Sequence, residues 1–328
     1  MTELTRRTAL AGVAVAAFAP LAASTSVQAS APMAAQQAPG FYRYKVGDYE
    51  LTAVMEAVRR FPLPDALVAN AKKDQVSLAL EEAHLPKDQM TITYTPVVVN
   101  TGKKLIVIDT GNGELGAKAT NGVTGQFFKN FKAAGFDPNA VDIVIISHFH
   151  LDHVDGLLTL DDKPVFPNAE VMVPEVEWKW AMDDANMAKA RKLDVDVLFS
   201  RARHNFGVIK DPTRYQWGKE IVPGITAIGT PGHTIGHTSF ALQSGSGKVL
   251  IQSDVTNLAA LFVRHPEWHL LFDIDAPLAE QTRRKFFDMA IAEKTPIQAF
   301  HHPFPGLGYV EKDGAGYRWE PTMWMPSI

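Results

Sequence analysis

Cysteine is absent from the 328-residue chain, so no disulfide framework can staple it and no thiolate can ligate a metal. A large excess of charge of one sign is missing as well. A formal net charge of -4 leaves no basic footprint for a polyanion, which argues against nucleic acid as a partner. Past the N-terminus no run approaches the roughly eighteen apolar residues of a membrane span. No repeat of about 20–50 residues and no low-complexity tract stands out there either. What is present, 46% hydrophobic and 21% charged residues, is the composition of a globular protein that buries a sizeable core.

Residues 1–29 read as an export signal of the twin-arginine type. Arg6-Arg7 precede Thr8-Ala9-Leu10, with Ala9 where that pattern usually has phenylalanine, and an Ala-rich apolar stretch runs to about Ala23. Val27-Gln28-Ala29, or alternatively Ala29-Ser30-Ala31, offers the small residues of a cleavage site. The apolar stretch is too short and too weakly hydrophobic to span a bilayer, so stable membrane insertion is not expected. The expected location is periplasmic or secreted. Because the twin-arginine route carries folded proteins, a metal can be taken up before export. Residues 30–40 read as a linker and 41–328 as one domain.

Strand-like runs rich in Val, Ile, Thr and Tyr, bounded by Gly, Pro, Asn or Asp, fall at 41–46, 49–54, 91–100, 104–109 and 141–147. Others fall at 169–173, 225–229, 238–243, 248–253 and 296–301. Helical spacing fits 74–83, 125–134, 175–193 and 279–293. Strands alternate with helices in both halves, which predicts two sheets flanked by helices within one domain. Gly111-Asn112-Gly113-Glu114-Leu115-Gly116 matches a dinucleotide fingerprint after a strand. Its context fails, because the next strand ends in histidines instead of the acidic residue that would hold a ribose. A flexible Gly-rich turn is the better reading. Ser244-Gly245-Ser246-Gly247 reads as a hairpin turn.

The chemistry concentrates in His148-Phe149-His150-Leu151-Asp152-His153, three imidazoles and a carboxylate in six residues. They follow the buried-strand run Ile143-Val144-Ile145-Ile146 and therefore sit at its C-terminal end, where pockets of sheet proteins gather. His233, Asp254 and His301 each occupy a similar place after a strand. Seven imidazole and carboxylate groups at strand ends form a donor set suited to a pair of divalent metals with room left for water.

These motifs resemble those of the metallo-β-lactamase-fold hydrolases, most closely the branch containing methyl parathion hydrolase and the N-acyl homoserine lactonases. The H-x-H-x-D-H signature carries the resemblance, with Asp109-Thr110-Gly111 and Thr230-Pro231-Gly232-His233-Thr234-Ile235-Gly236-His237 in support. Phe166-Pro167-Asn168-Ala169 and His301-His302-Pro303-Phe304-Pro305-Gly306 are closer to the methyl parathion hydrolase branch. The likeness runs from about Phe41 to Pro321. It implies an α/β fold, the αββα metallo-β-lactamase sandwich, with two mixed sheets flanked by helices.

It further implies two divalent metal ions, zinc foremost, although manganese and cobalt can occupy similar ligand sets. The first would be held by His148, His150 and His233. The second would be held by Asp152, His153 and His301, with Asp254 bridging. On this pattern a shared hydroxide attacks a lactone or ester, and Asp152 and Asp254 position the metals and the nucleophile, with no serine or cysteine nucleophile. Asp109 would orient a ligand, His237 would hydrogen-bond behind the site, and His302 would be a neighbour. His84, His204, His265 and His269 lack the strand-end setting and read as surface or core residues. Ser253 stands before Asp254 where glycine is common, which bears on the local backbone.

The substrate would be a small molecule, and related enzymes suggest a homodimer. Phosphotriester hydrolysis of the methyl parathion type is the alternative reaction, and a non-catalytic periplasmic metal-binding protein is the alternative outside enzymes. Phe127, Phe128, Trp178, Trp180, Phe199 and Phe262 can wall an apolar pocket, although aromatics on helices more often belong to the core.

Overall fold

In a computed structural model, residues 33–34, 37–192 and 197–328 are described. The expected export signal and both of its cleavage positions lie outside the described residues. The chain divides into two units, Met1–Gln37 and Ala38–Ile328, and the second holds every strand and helix named below.

The strands run in chain order as β1 (Phe41–Val46), β2 (Tyr49–Val54), β3 (Ala57–Pro62), β4 (Gln89–Tyr94), β5 (Val97–Asn100), β6 (Leu105–Ile108), β7 (Ile143–Ile145) and β8 (Glu170–Pro174). They continue as β9 (Thr213–Tyr215), β10 (Glu220–Val222), β11 (Ile225–Gly229), β12 (Thr238–Ser244), β13 (Gly247–Ser253), β14 (Ile297–Ala299), β15 (Leu307–Asp313) and β16 (Gly316–Pro321). The helices are α1 (Lys73–Glu82), α2 (Gly113–Ala119), α3 (Phe127–Ala133), α4 (Leu151–Val154), α5 (Glu175–Ala181), α6 (Asp184–Lys192), α7 (Val197–Ile209) and α8 (Ala276–Glu293).

One seven-stranded sheet has the order β1-β2-β5-β6-β7-β8-β9 and a second runs β10 to β16 in sequence order. Both are mixed. The first is antiparallel through β6 and parallel from β6 to β9, and the second is parallel only at β13–β14.

Alternation along the strands builds four layers. Val97, Val99, Ile106, Ile108, Ile143 and Ile145 of the first sheet face Ile225, Ala227, Phe240, Leu242, Val249 and Ile251 of the second in one core. Their neighbours Val98, Val107, Val144 and Ile146 point the other way, onto Phe127 and Phe131 of α3 and Phe199 and Phe206 of α7. On the far side Leu250 and Ile297 meet Phe286, Phe287 and Ala290 of α8. The β3–β4 hairpin with α1 forms a separate cluster over Leu258, Leu261, Phe262 and Phe300. This is the αββα arrangement that the sequence motifs imply.

Two expected elements break. The single strand at 91–100 divides at Thr95-Pro96, where proline has no N–H for a ladder; β4 pairs with β3 while β5 joins the first sheet. The helix at 175–193 divides at Met182-Asp183. Asp183 starts a new helix by accepting from Ala185 N at 2.7 Å, which is helix-capping chemistry. Helices α2, α4 and α7 and strands β3, β9, β10, β15 and β16 are not among the sequence expectations.

The glycine-rich stretch after β6 is not a flexible turn. Glu56, fully buried, accepts hydrogen bonds from the backbone N–H groups of Asn112, Gly125 and Phe127 at 3.1, 2.6 and 2.8 Å. Gly113 has φ +58°, and a Cβ there would lie 2.6 Å from the Asp155 carbonyl oxygen. Its glycine allows close packing beneath the site. The hairpin expected at 244–247 joins β12 to β13.

Candidate metal centre

The site forms where five strands end on one edge of the sandwich. From the first sheet, β6 leads to Asp109 and β7 to Ser147 and His148–His150, after which α4 presents Asp152 and His153. From the second, β11 leads to His233, β13 to Asp254 and β14 to His301. Ser147 O accepts from Thr238 N at 3.1 Å, which ties the two sheets together at this edge. Gly232, with φ +129°, lets the His233 turn lie against α8, where a Cβ would come 2.3 Å from Ala279 N. Glu177 locks both histidine loops by accepting from Phe149 N at 3.2 Å and Gly236 N at 2.6 Å.

The structure brings all seven sequence-derived residues together in two groups. His148, His150 and His233 each offer one nitrogen, all within 4.8 Å of one another. Asp152, His153, Asp254 and His301 do the same with one donor atom each. Asp254 also reaches the first group. Its Oδ2 lies 3.3 Å from His233 Nε2 and 4.0 Å from His148 Nε2. Toward the second group, Oδ2 is 2.9 Å from His301 Nε2 and Oδ1 is 3.2 Å from His153 Nε2. Asp152 Oδ2 lies 3.4 Å from His301 Nε2, and its side chain is 19% exposed while the other donors are buried. The cluster therefore opens to solvent on the Asp152 side.

The donor chemistry fits divalent cations. The Nδ1–H of His148 donates to Ser147 Oγ at 3.0 Å, that of His153 to Asp109 Oδ2 at 2.8 Å, that of His233 to Asp273 Oδ1 at 2.8 Å and that of His301 to Thr93 O at 2.7 Å. When neutral, each of these rings is thus fixed in the tautomer whose Nε2 lone pair turns inward. Nε2 of His148, His150, His153 and His233, together with Asp254 Oδ1, is buried without a well-aligned hydrogen-bond partner. Buried polar atoms left unpaired in this number are costly unless something binds them.

Electrostatics divide the imidazoles. Burial and neighbouring histidines hold His148 and His150 well below the usual histidine range, which keeps them neutral. Burial also disfavours charge on His153, but the carboxylates of Asp109, Asp254 and Asp152 outweigh it and lift that ring well above the usual range. Burial disfavours charge on His233 as well, but the Asp254 carboxylate beside Nε2 and the Asp273 carboxylate that accepts from Nδ1 outweigh it and raise the ring to about 9. Asp254 is held well below the carboxylate range; burial opposes this, and His301 and His153 prevail.

His237 lies behind the cluster. Its Nε2 accepts from Asp254 N at 3.0 Å and its Nδ1–H faces Thr230 O at 3.1 Å. His302 belongs to neither group and hydrogen-bonds instead with Thr256 Oγ1 at 2.9 Å. His204 pairs with Asp162, His265 stacks on Trp268 and His269 pairs with Glu280, away from the cluster. Ser253 keeps the backbone that glycine would favour, at φ +48°. Among the aromatics, Phe127, Phe199 and Phe262 are core, and Phe128, Trp178 and Trp180 pack partly buried against it. The Phe199 ring still lies 6.1 Å from that of His150.

Sequence reasoning missed Asp273, Arg283, Glu177 and Thr93. Asp273 lies in the loop before α8 and acquires meaning only through its contact with His233, forty residues earlier. Ser147 could have been noted as the residue directly before His148.

Comparisons with known proteins agree with this geometry. A family model described as the metallo-beta-lactamase superfamily matches residues 94–297. An N-acyl homoserine lactonase from a Bacillus species is 27% identical over 172 residues, 52% of this chain and 59% of the relative. The lactonase AttM of Rhizobium johnstonii is 30% identical over 165 residues, 50% of this chain and 58% of its own length. The chain thus spans less than two thirds of the length of both relatives. Among solved structures, AidC, a dizinc quorum-quenching lactonase in complex with a product, superposes with TM-score 0.80 at 24% identity, covering 87% of this chain and 98% of AidC. A hydrolase of the beta lactamase superfamily, AbOPH, superposes with TM-score 0.79 at 28% identity, covering 88% of this chain and 100% of AbOPH.

Proposed function

Since the chain belongs to the metallo-β-lactamase superfamily, we propose that it is a metal-dependent hydrolase that opens a lactone or cleaves an ester of a small molecule. The observation that carries this reading is the convergence, on both sides of the Asp254 carboxylate, of buried Nε2 atoms that have no well-aligned hydrogen bond. His148, His150 and His233 would hold one divalent metal, and Asp152, His153 and His301 the other, with Asp254 shared. Zinc suits imidazole and carboxylate donors. Bound there, such metals supply Lewis acidity and lower the pKa of water.

The chain's own residues do the rest. Asp109, Ser147, Asp273 and Thr93 orient the imidazoles from behind. Asp254 sets the spacing between the two groups and is itself fixed by its N–H to His237. The substrate would enter on the side of Asp152, the one donor of the seven that is partly exposed. The lactone preference is supported by the lactonase relatives. Phosphotriester cleavage is the second reading, favoured by Phe166-Pro167-Asn168-Ala169 and His301 to Gly306.

The twin-arginine pattern supports export to the periplasm or beyond, with residues 1–29 as the signal and 41–328 as the exported domain. A homodimer is the proposed assembly, which sedimentation tests.

The deciding experiment is kcat/KM of the zinc-loaded protein for an acyl homoserine lactone beside a methyl parathion-type triester. A lactone preference of a hundredfold, about 2.7 kcal/mol of transition-state binding, supports the first reading, and the reverse ratio supports the second. Binding of metal with no turnover of any activated ester would leave a metal-binding protein.

A further inference from the structure

We propose that Asp273 and Arg283 are a positioning pair for a single metal of the two, the one held by His148, His150 and His233. The proposal rests on the metal reading above. Asp273 Oδ1 accepts from His233 Nδ1 at 2.8 Å, while its Oδ2 faces Arg283 Nη2 at 3.5 Å. Both side chains are 2% exposed. Arg283 is held by more than its counter-ion: it donates to the carbonyls of Val255 at 3.2 Å, Pro266 at 2.9 Å and Trp268 at 3.0 Å. Its guanidinium also lies 5.3 Å from the centre of the Phe262 ring.

A buried arginine satisfied in this way cannot swing, so neither can the carboxylate it faces. The arrangement also joins the ends of one loop. Val255 follows Asp254 directly, and Asp273 closes the same segment before α8, where Ile274 N donates to His233 O at 3.1 Å. One cation therefore ties the backbone beside the shared carboxylate to the carboxylate behind His233.

The selectivity comes from what backs each ring. In the first group, His148 meets a serine hydroxyl and His233 meets a carboxylate. In the second group the carboxylate-backed ring is His153, and its partner is Asp109. Carboxylate backing raises the basicity of a ligating imidazole and fixes its orientation, and its loss typically weakens metal affinity about 10- to 100-fold. Neutralising Asp273 should consequently act on one metal and spare the other.

The test is zinc titration of the metal-free folded protein, wild type against D273N and R283K. The wild type should take up two equivalents. D273N should keep one at wild-type affinity and bind the other about 10- to 100-fold more weakly. R283K should weaken the same single site by a smaller factor, since lysine keeps the charge but cannot span three carbonyls. It carries the test if D273N does not fold. A second readout in the wild type is the Nδ1–H proton of His233 in the cobalt-loaded protein, which should exchange slowly with water. Equal weakening at both sites, no weakening at either, or rapid exchange of that proton overturns the assignment of Asp273. A wild type that takes up no metal overturns the metal reading and this inference with it.

Discussion

The two halves of the sandwich contribute to the site in opposite styles. The first sheet delivers four of the seven donors from one loop and the helical turn after it, His148 to His153, all following β7. The second sheet delivers three donors from three separate strand ends, after β11, β13 and β14. The local set is compact in sequence because extended chain passes directly into a helical turn: His150, with extended backbone, precedes α4 and Asp152 and His153 lie within it, so near neighbours in sequence serve different groups. The dispersed group depends on strand order, because β13 and β14 are parallel neighbours and both end at the same edge. Backing follows the same contrast. Asp109 directly follows β6, the strand beside β7, whereas Asp273 reaches His233 from the loop before α8.

That contrast breaks most completely at Asp254, the donor that touches both groups. Asp254→Ala should remove metal and lower kcat/KM by roughly a thousandfold or more; elemental analysis and kinetics on one sample check both, and retention of either contradicts the shared role. Next comes Asp109→Asn, which should weaken metal at the second group about 10- to 100-fold and the first group by a smaller factor, because Asp109 also accepts from Ser147 Oγ at 2.8 Å and so steadies the hydroxyl behind His148. Set beside D273N, it compares a carboxylate that touches one ring directly with one that serves both groups.

Acidity gives a smaller and graded effect. His233 is raised to about 9 and His153 lies well above the usual range, so both are protonated at pH 7 in the metal-free chain. A metal binds only the neutral ring, so loading expels protons and affinity rises as pH rises through neutrality. Calorimetry in two buffers of different ionisation heat should report net proton release near pH 7, and proton uptake would contradict the assignment. Smallest is Ser253→Gly. A non-glycine residue in the left-handed region costs about 1–2 kcal/mol, and glycine gives back about 0.5–1 kcal/mol through unfolded-state entropy. Melting should rise by at most about 2 °C, with metal content unchanged.

Much of the fold was legible because runs rich in Val and Ile, bounded by turn residues, mark strands buried on both faces. The missed strands show the limit of that signal. In β3, Val58, Arg59 and Arg60 are exposed, so no apolar alternation announces it, and β9 and β10 span only three residues each. The seven donors were legible for another reason: imidazoles and carboxylates at the ends of hydrophobic runs have few structural uses. Glu177 and Arg283 carried no such mark. Each sits in a helix where charged residues are ordinary, and only burial makes them unusual.

The sequence by itself determined the layered α/β architecture, the donor set and the absence of thiolate chemistry, since these follow from hydrophobic periodicity and from residue types. The family resemblance implied how the donors divide into two groups with Asp254 between them; only the tertiary structure decided the distances at which they meet, 3.3 Å from Asp254 Oδ2 to His233 and 2.9 Å to His301, and which partner orients each ring. Those facts are distances between residues far apart in the chain. They are set by the pairing of strands and the packing of two sheets, and no local pattern encodes them.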